Sequence, residues 1–169
     1  MRRVAAEAKT HGVDVLDVQM SGGRGGVADQ KTCLMVGGEA AVLERCRPVL
    51  ETTAGNIYFM GAVGTGALTK VAQNMITAMY LAAANEGFRF AQAVGIDLEM
   101  FQDVVRTSSA QSYVADKYLR EWGNRSSTWM YHQVLWDALD LGHAHDVPLP
   151  NAATALQALA HGLEKSGSD

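Results

Sequence analysis

The spacing of apolar positions changes character once along the chain. Up to about Gly61, short strand-like runs alternate with amphipathic helical segments, whereas from Val63 onward apolar residues recur only at helical spacing. The first part reads as a helix MRRVAAEAKTHG, a strand VDVLDVQM, a loop SGGRGG, a strand TCLMV, a helix EAAVLERCRPVLETTA and a strand NIYFM. This order predicts a small parallel or mixed α/β sheet, with Pro48 kinking or shortening the second helix.

The helical part opens with an unusually long segment. From about Gly66 to Val94 there is no proline, and only Gly87 interrupts the interior, so the sequence predicts a helix of roughly 40 Å. Its middle, VAQNMITAMYLAAA, is apolar nearly all round, which is typical of a helix buried in a helical domain or at a dimer interface. Further helices are predicted in LEMFQDVVRTS, SYVADKYLREWG, WMYHQVLWDALDLGHAHD and PNAATALQALAHGLEK.

Composition narrows the class of protein. The 169 residues are 48% hydrophobic, enough for a globular core, and the net charge of −4 is spread along the chain rather than gathered in runs. This distribution argues against nucleic-acid and membrane partners. Cys33 and Cys46 fit buried free thiols in a reducing compartment, so we expect a cytoplasmic protein. No apolar run is long enough to span a bilayer.

A serine and paired glycines end the first predicted strand, in DVQMSGGRGG. Ser21 and the following amides would lie at the carboxyl end of the strand, where open α/β sheets bind ligands. A tight turn that needs glycine explains the same residues. Residues 23–28 also fit a loose G-x-G-x-x-A dinucleotide pattern. We reject it, because the next strand starts near Thr32 and leaves no room for the helix that would hold a pyrophosphate.

A lysine and an asparagine lie one helical turn apart near the start of the long helix, in GTGALTKVAQN. Lys70 and Asn74 would share a face with Gly66, whose small size leaves space for a ligand. Partial burial would lower the pKa of Lys70 and make it a usable proton donor. A lysine that extends its ammonium group to solvent beside an asparagine explains the spacing equally well.

Four segments, taken in order, resemble the β-hydroxyacid dehydrogenases, the family of 3-hydroxyisobutyrate dehydrogenase that is similar to 6-phosphogluconate dehydrogenase. They are DVQMSGGRGG, MVGG, GTGALTKVAQN and ANEGFRFAQAVGID, and the similarity covers nearly the whole chain. The resemblance implies that Ser21, Gly22 and Gly23 bind the substrate carboxylate. It further implies that Lys70 is the catalytic acid or base, and that Asn74 orients a small hydroxyacid or semialdehyde as hydride passes to or from NAD or NADP.

The resemblance also implies a domain organisation. Residues 1–61 resemble the C-terminal portion of a Rossmann-type dinucleotide-binding domain, most of which is missing, and residues 62–169 resemble the all-α substrate domain through which the family forms homodimers. Alignment on VPLP places Gln133 where the family usually has a lysine near substrate and cofactor, so Gln133 is a candidate cofactor contact and the substrate is in doubt.

Two further functions remain open at this point. The chain could be a non-catalytic helical dimerisation module, or an imine-reductase-like enzyme of the same architecture, although the retained Lys70 argues against the latter. We expect no metal site, because His143 and His145, near Asp146, are two positions apart and point in different directions on a helix.

Overall fold

The computed structural model describes residues 1–29, 31–122 and 125–165. The chain forms two compact units, Met1–Ala72 and the residues from Gln73 onward. The first unit contains the sheet, and the second is helical. The predicted fold class, an α/β segment followed by an all-α segment built on a long helix, is confirmed.

The first unit alternates helices and strands up to the start of a long helix. Strand β1 ends at the predicted substrate loop, and β2 and β3 follow with one helix between them. In chain order the elements are α1 (Arg2–Thr10), β1 (Asp17–Ser21), α2 (Gly23–Ala28), β2 (Thr32–Gly37), α3 (Ala40–Leu50), β3 (Ala54–Gly61) and the beginning of α4 (Thr65–Ala93).

The sheet is mixed, with strand order β1-β2-β3. Strands β1 and β2 are antiparallel and β2 and β3 are parallel, so Ser21 lies directly opposite Cys33. One face is apolar and packs on α3, through a cluster that contains Leu34, Val36 and Leu43. Residues of β2 alternate between faces, so Cys33, Met35 and Gly37 lie on the opposite face.

The described residues of the second unit pack around an apolar cluster. It comprises the remainder of α4, α5 (Leu98–Thr107), a 3-10 turn at Ala115–Lys117, a π-helix at Tyr118–Trp122, α6 (Arg125–Ala144) and α7 (Pro150–Lys165). Leu81, Leu135 and Leu159, from three different helices, are fully buried in that cluster. Asp97 caps α5, because its Oδ1 accepts a hydrogen bond from the Met100 amide at 2.9 Å.

Two local predictions were wrong. The glycine-rich SGGRGG segment is not a loop throughout, because Gly23–Ala28 forms a short helix, so there is room for six helical residues before β2. The segment SYVADKYLREWG is not an α-helix either. The buried Gln102 accepts the Leu119 N–H at 3.1 Å, which diverts that amide from an α-helical partner.

The long helix was located correctly, and within one chain its apolar surface is only partly buried. Ala78 and Leu81 are buried, yet Ile76, Tyr80 and Phe90 are 45%, 51% and 68% exposed. Residues separated by four or by ten positions lie near the same face of an α-helix, so these three side chains share one face of α4. The helix therefore has one buried face and one exposed apolar face.

The cysteines are free, as predicted, although both are half-buried rather than buried.

Candidate functional site

Strand β1 presents its polar side chains to one face of the sheet. Asp17, Gln19 and Ser21 alternate with Val18 and Met20, and the buried member of the strand is Asp17, at 1% exposure. Val18 and Met20 are exposed. The polar face of β1 is therefore covered, which is the reverse of the usual arrangement for a strand with one solvated face.

The first turns of α4 cover that polar face. The Ala67 amide donates to Asp17 Oδ2 at 2.9 Å. A Cβ atom on Gly66 would lie 2.7 Å from the carbonyl oxygens of both Asp17 and Met35. Only a glycine lets the helix backbone approach two strands this closely. The start of α4 is thus fixed against β1 and β2.

Lys70 lies one turn beyond Gly66, at the half-buried part of α4. Burial lowers the pKa of Lys70 below its usual value, and the neighbouring Cys33 opposes part of that shift. Helix α4 covers the face of β1 on which Asp17 and Ser21 both lie, so Lys70 and Ser21 are on the same side of the sheet. The predicted proton donor and the predicted carboxylate-binding serine therefore both belong to the first unit and to one side of its sheet.

The two glycines after Ser21 have backbone conformations that other residues rarely adopt. Gly22 has φ of +132° and Gly23 has φ of +62°, and Gly23 is the first residue of α2. These conformations favour glycine, and both glycines are exposed, so the backbone of the loop is accessible at this strand end.

The remaining predicted residues lie in the second unit. Asn74 is half-buried on α4, four residues after Lys70 in the same helix. Gln133 is exposed on α6 and donates to Asp137 Oδ1 at 3.3 Å. Within the described parts of the chain, no three His, Cys, Asp or Glu side chains are grouped so that they could hold a metal ion. Among those same residues no helix is both long and apolar enough to cross a membrane.

Asp17 and Cys33 were not predicted as residues of the site. Both fall in strand-like runs, and Cys33 was interpreted only as a buried free thiol. A usable signal was present, because Asp17, Gln19 and Ser21 follow one another at a spacing of two, which places them on a single face of β1. The sequence pattern therefore predicts a carboxylate on the same face of β1 as Ser21.

Two family models match consecutive parts of the chain. Residues 1–61 match the model described as the NAD binding domain of 6-phosphogluconate dehydrogenase. Residues 64–169 match the model described as NAD-binding of NADP-dependent 3-hydroxyisobutyrate dehydrogenase. The fold and these two family-model matches together define a class of protein, the dehydrogenases in which an α/β segment precedes a helical one. Within that class, the chain belongs to the β-hydroxyacid dehydrogenase family, as its signature segments predicted.

Several relatives carry dehydrogenase names. A probable 3-hydroxyisobutyrate dehydrogenase of Mycobacterium bovis is 41% identical over 104 residues, covering 62% of this chain and 35% of the relative. A 2-(hydroxymethyl)glutarate dehydrogenase of Eubacterium barkeri is 31% identical over 163 residues, covering 93% of this chain and 53% of the relative. The crystal structure of a 3-hydroxyisobutyrate dehydrogenase from Salmonella typhimurium matches with a TM-score of 0.86 at 26% identity, over 98% of this chain and 60% of that one. The chain therefore spans between 35% and 60% of the length of these proteins.

Proposed function

We propose that this chain carries the substrate-binding and proton-transfer residues of an NAD(P)-dependent 3-hydroxyacid dehydrogenase. One observation carries the proposal: a half-buried Lys70, with a pKa lowered by burial, lies on the side of the sheet that also carries Ser21, in a chain of this family. A lysine on an exposed helix surface would have neither feature.

In this proposal the loop after β1 binds the substrate carboxylate. The Ser21 hydroxyl and the amides of Gly22 and Gly23 are the donors, and hydrogen bonds to an ionised acceptor are about twice as strong as neutral ones. The positive φ values at both glycines support this role, because glycine adopts them readily and has no side chain to cover the exposed amides. Binding at the carboxylate fixes the hydroxyl-bearing carbon of the substrate relative to Lys70.

Lys70 moves the proton. In the reduction direction its ammonium group donates to the substrate carbonyl oxygen and stabilises the charge that develops there. In the oxidation direction the neutral amine accepts the hydroxyl proton. Asn74, one turn further along α4, is proposed to orient the same oxygen through its amide. The lowered pKa favours both directions, because it brings the two protonation states closer in free energy at neutral pH.

Helix α2 does not fit the pyrophosphate of a dinucleotide. Helix α2 follows β1 in the G-x-G-x-x-A pattern but contains only six residues, which gives a weak dipole and few oriented amides. When bound, NAD or NADP supplies or accepts the hydride. We assign its site to other residues of the complete dehydrogenase, which we call the assembled enzyme. Gln133 is a candidate contact from this chain.

We also propose a functional boundary between residues 61 and 62. The family-model matches support it, since one ends at residue 61 and the other begins at residue 64.

The free Cys33 and Cys46 favour a reducing compartment, and we place the protein in the cytoplasm on that ground.

The relatives suggest the substrate class. Both 3-hydroxyisobutyrate and 2-(hydroxymethyl)glutarate, from the names of two relatives, carry a hydroxyl group β to a carboxylate. A substrate of that kind places its reacting carbon two carbons from the carboxyl group. We propose that Ser21 and Lys70 are spaced for this separation.

The test is an assay of the assembled enzyme with 3-hydroxyacids and with 2-hydroxyacids of the same carbon number. We expect kcat/KM to be about a hundredfold higher for the 3-hydroxyacids, because a misplaced reacting carbon loses that much. Equal rates with both classes would contradict the proposed spacing. Reduction of cyclic imines without hydroxyacid oxidation would instead support the imine-reductase alternative.

We further propose that the exposed apolar face of α4 forms a homodimer. Glutamate at Tyr80 or Phe90 should raise the dimer dissociation constant at least about tenfold, since hot-spot aromatics contribute well over 1 kcal/mol. Light scattering across a concentration series measures this effect. Met100 on α5 is 65% exposed, so Met100→Glu is the matched control. An equal response to all three substitutions would contradict a dimer through this face.

A further inference from the structure

Asp17 is a carboxylate that the proposed reaction does not use directly. It is 1% exposed, and a charge this deeply buried is costly unless it is hydrogen-bonded. Its Oδ2 accepts from the Ala67 amide at 2.9 Å, and its Oδ1 accepts from Gln19 Nε2 at 3.1 Å. Both carboxylate oxygens therefore have partners on the covered face of the sheet.

The carboxylate takes the place of a local helix cap. The first amides of a helix lack partners within the helix, and a side chain just before its start normally supplies one. Gly64 occupies that position in α4 and has no side chain. Asp17, from a strand fifty residues away in sequence from Ala67, accepts the amide instead and places a negative charge at the positive end of the helix dipole.

This bond joins the two elements that carry the proposed site. Asp17 and Ser21 are on one face of β1, and Ala67 precedes Lys70 by less than one turn of α4. The close approach at Gly66 removes space for the helix to slide toward the strands. The Asp17 carboxylate keeps the helix from moving away from β1, because separation would leave a buried charge without its hydrogen-bond donor.

We infer that Asp17 is a positioning residue, which fixes Lys70 relative to Ser21 by anchoring the first turn of α4 to β1. The inference rests on the proposed function, in which Lys70 transfers the proton and Ser21 binds the substrate. Asp17 itself touches neither substrate nor cofactor in this assignment.

The primary test follows Lys70 in the 169-residue chain without any enzymatic assay. NMR titration of methylated lysines gives the Lys70 pKa, and amide exchange reports on Ala67. In Asp17→Ala we expect the Lys70 pKa to rise toward the usual range of lysine, because the helix start is no longer held in its buried position. We expect the Ala67 amide to exchange at least about tenfold faster, because its hydrogen bond is gone. Asp14 is exposed and pairs with Arg45, so Asp14→Ala is the matched control and should change neither signal.

A second variant covers the case in which Asp17→Ala does not fold. Asp17→Asn keeps the shape and one acceptor but loses the charge that strengthens the bond to Ala67. We expect several-fold faster exchange at Ala67 and a smaller shift of Lys70 in the same direction. A folded variant of either kind with unchanged Lys70 titration and unchanged Ala67 exchange would overturn the inference.

Kinetics of the assembled enzyme separate this inference from the proposed function. Asp17→Asn should lower kcat about tenfold and leave KM nearly unchanged, because it displaces the proton donor and not the carboxylate site. If Lys70→Ala retains activity while Asp17 variants still move the Lys70 titration, the proposed function fails and the anchoring role stands. If Lys70→Ala is inactive and Asp17→Asn retains wild-type kcat, the anchoring role fails alone.

Discussion

Replacing Lys70 with alanine is expected to lower kcat of the assembled dehydrogenase by about 10²–10⁴-fold, the usual contribution of a positioned general acid or base. KM should change far less, because the proposed carboxylate site is the loop after β1, which the substitution leaves intact. Steady-state kinetics that follow the nicotinamide absorbance measure both constants. Lys9, with an 80% exposed side chain, provides the matched control Lys9→Ala, which should retain wild-type rates.

The pH dependence gives an independent check on the same residue. Oxidation of the hydroxyacid requires neutral Lys70, so kcat/KM should rise with pH and level off above the Lys70 pKa. Burial lowers that pKa, so the plateau should begin below the usual range of lysine. Lys70→Arg retains a cation that does not lose its proton, and should abolish the oxidation rate and its pH dependence together. Near wild-type rates in Lys70→Ala would contradict the proposed role.

Gly66→Ala is expected to destabilise the first unit by about 3 kcal/mol, in the upper range for overpacking. The added Cβ would lie 2.7 Å from two carbonyl oxygens, on β1 and on β2, and neither backbone can yield without disturbing the sheet. The loss should exceed the gain of about 1 kcal/mol that alanine brings to a helix interior. Thermal unfolding followed by circular dichroism measures the change.

Gly87→Ala is the matched control, because it lies in the same helix and a Cβ there meets nothing within 4 Å. It should raise stability by about 1 kcal/mol when both variants have the same oligomeric state as the wild type. Hydrogen exchange should be faster in residues 65–72 of Gly66→Ala and unchanged there in Gly87→Ala. A Gly66→Ala protein at least as stable as Gly87→Ala would contradict the close approach described above.

The sequence could predict the order of elements because periodicity is a local property. Two strand-like runs, TCLMV and NIYFM, fall within observed strands, and PNAATALQALAHGLEK coincides with α7. Deviations occur where a distant group decides the local conformation. The π-helix at Tyr118–Trp122 departs from the predicted α-helix where Gln102, on another helix, takes the Leu119 amide. No spacing within the segment itself carries that information.

The same distinction between local and tertiary information applies to the residues of the candidate site. Ser21, Gly22, Gly23 and Lys70 belong to contiguous motifs, so their presence could be predicted, and the structure brings Ser21 and Lys70 to one face of the sheet. Asp17 could not be assigned a role, because its partner is the Ala67 amide, a backbone group that every sequence has at every position. The pairing of β1 with β2, which places Cys33 opposite Ser21, is equally a tertiary property.

The bond between Asp17 and Ala67 also bears on the order of folding. It joins residues fifty positions apart, so the loop it closes carries an entropy cost that must be met before the bond can form. Folding of β2, α3 and β3, which lie between the two residues, brings the ends of that loop closer together. A chain that has formed its helices but not its sheet would hold Lys70 on a helix with no serine facing it. Proton-transfer competence should therefore appear late in refolding, after most of the helical signal has been regained.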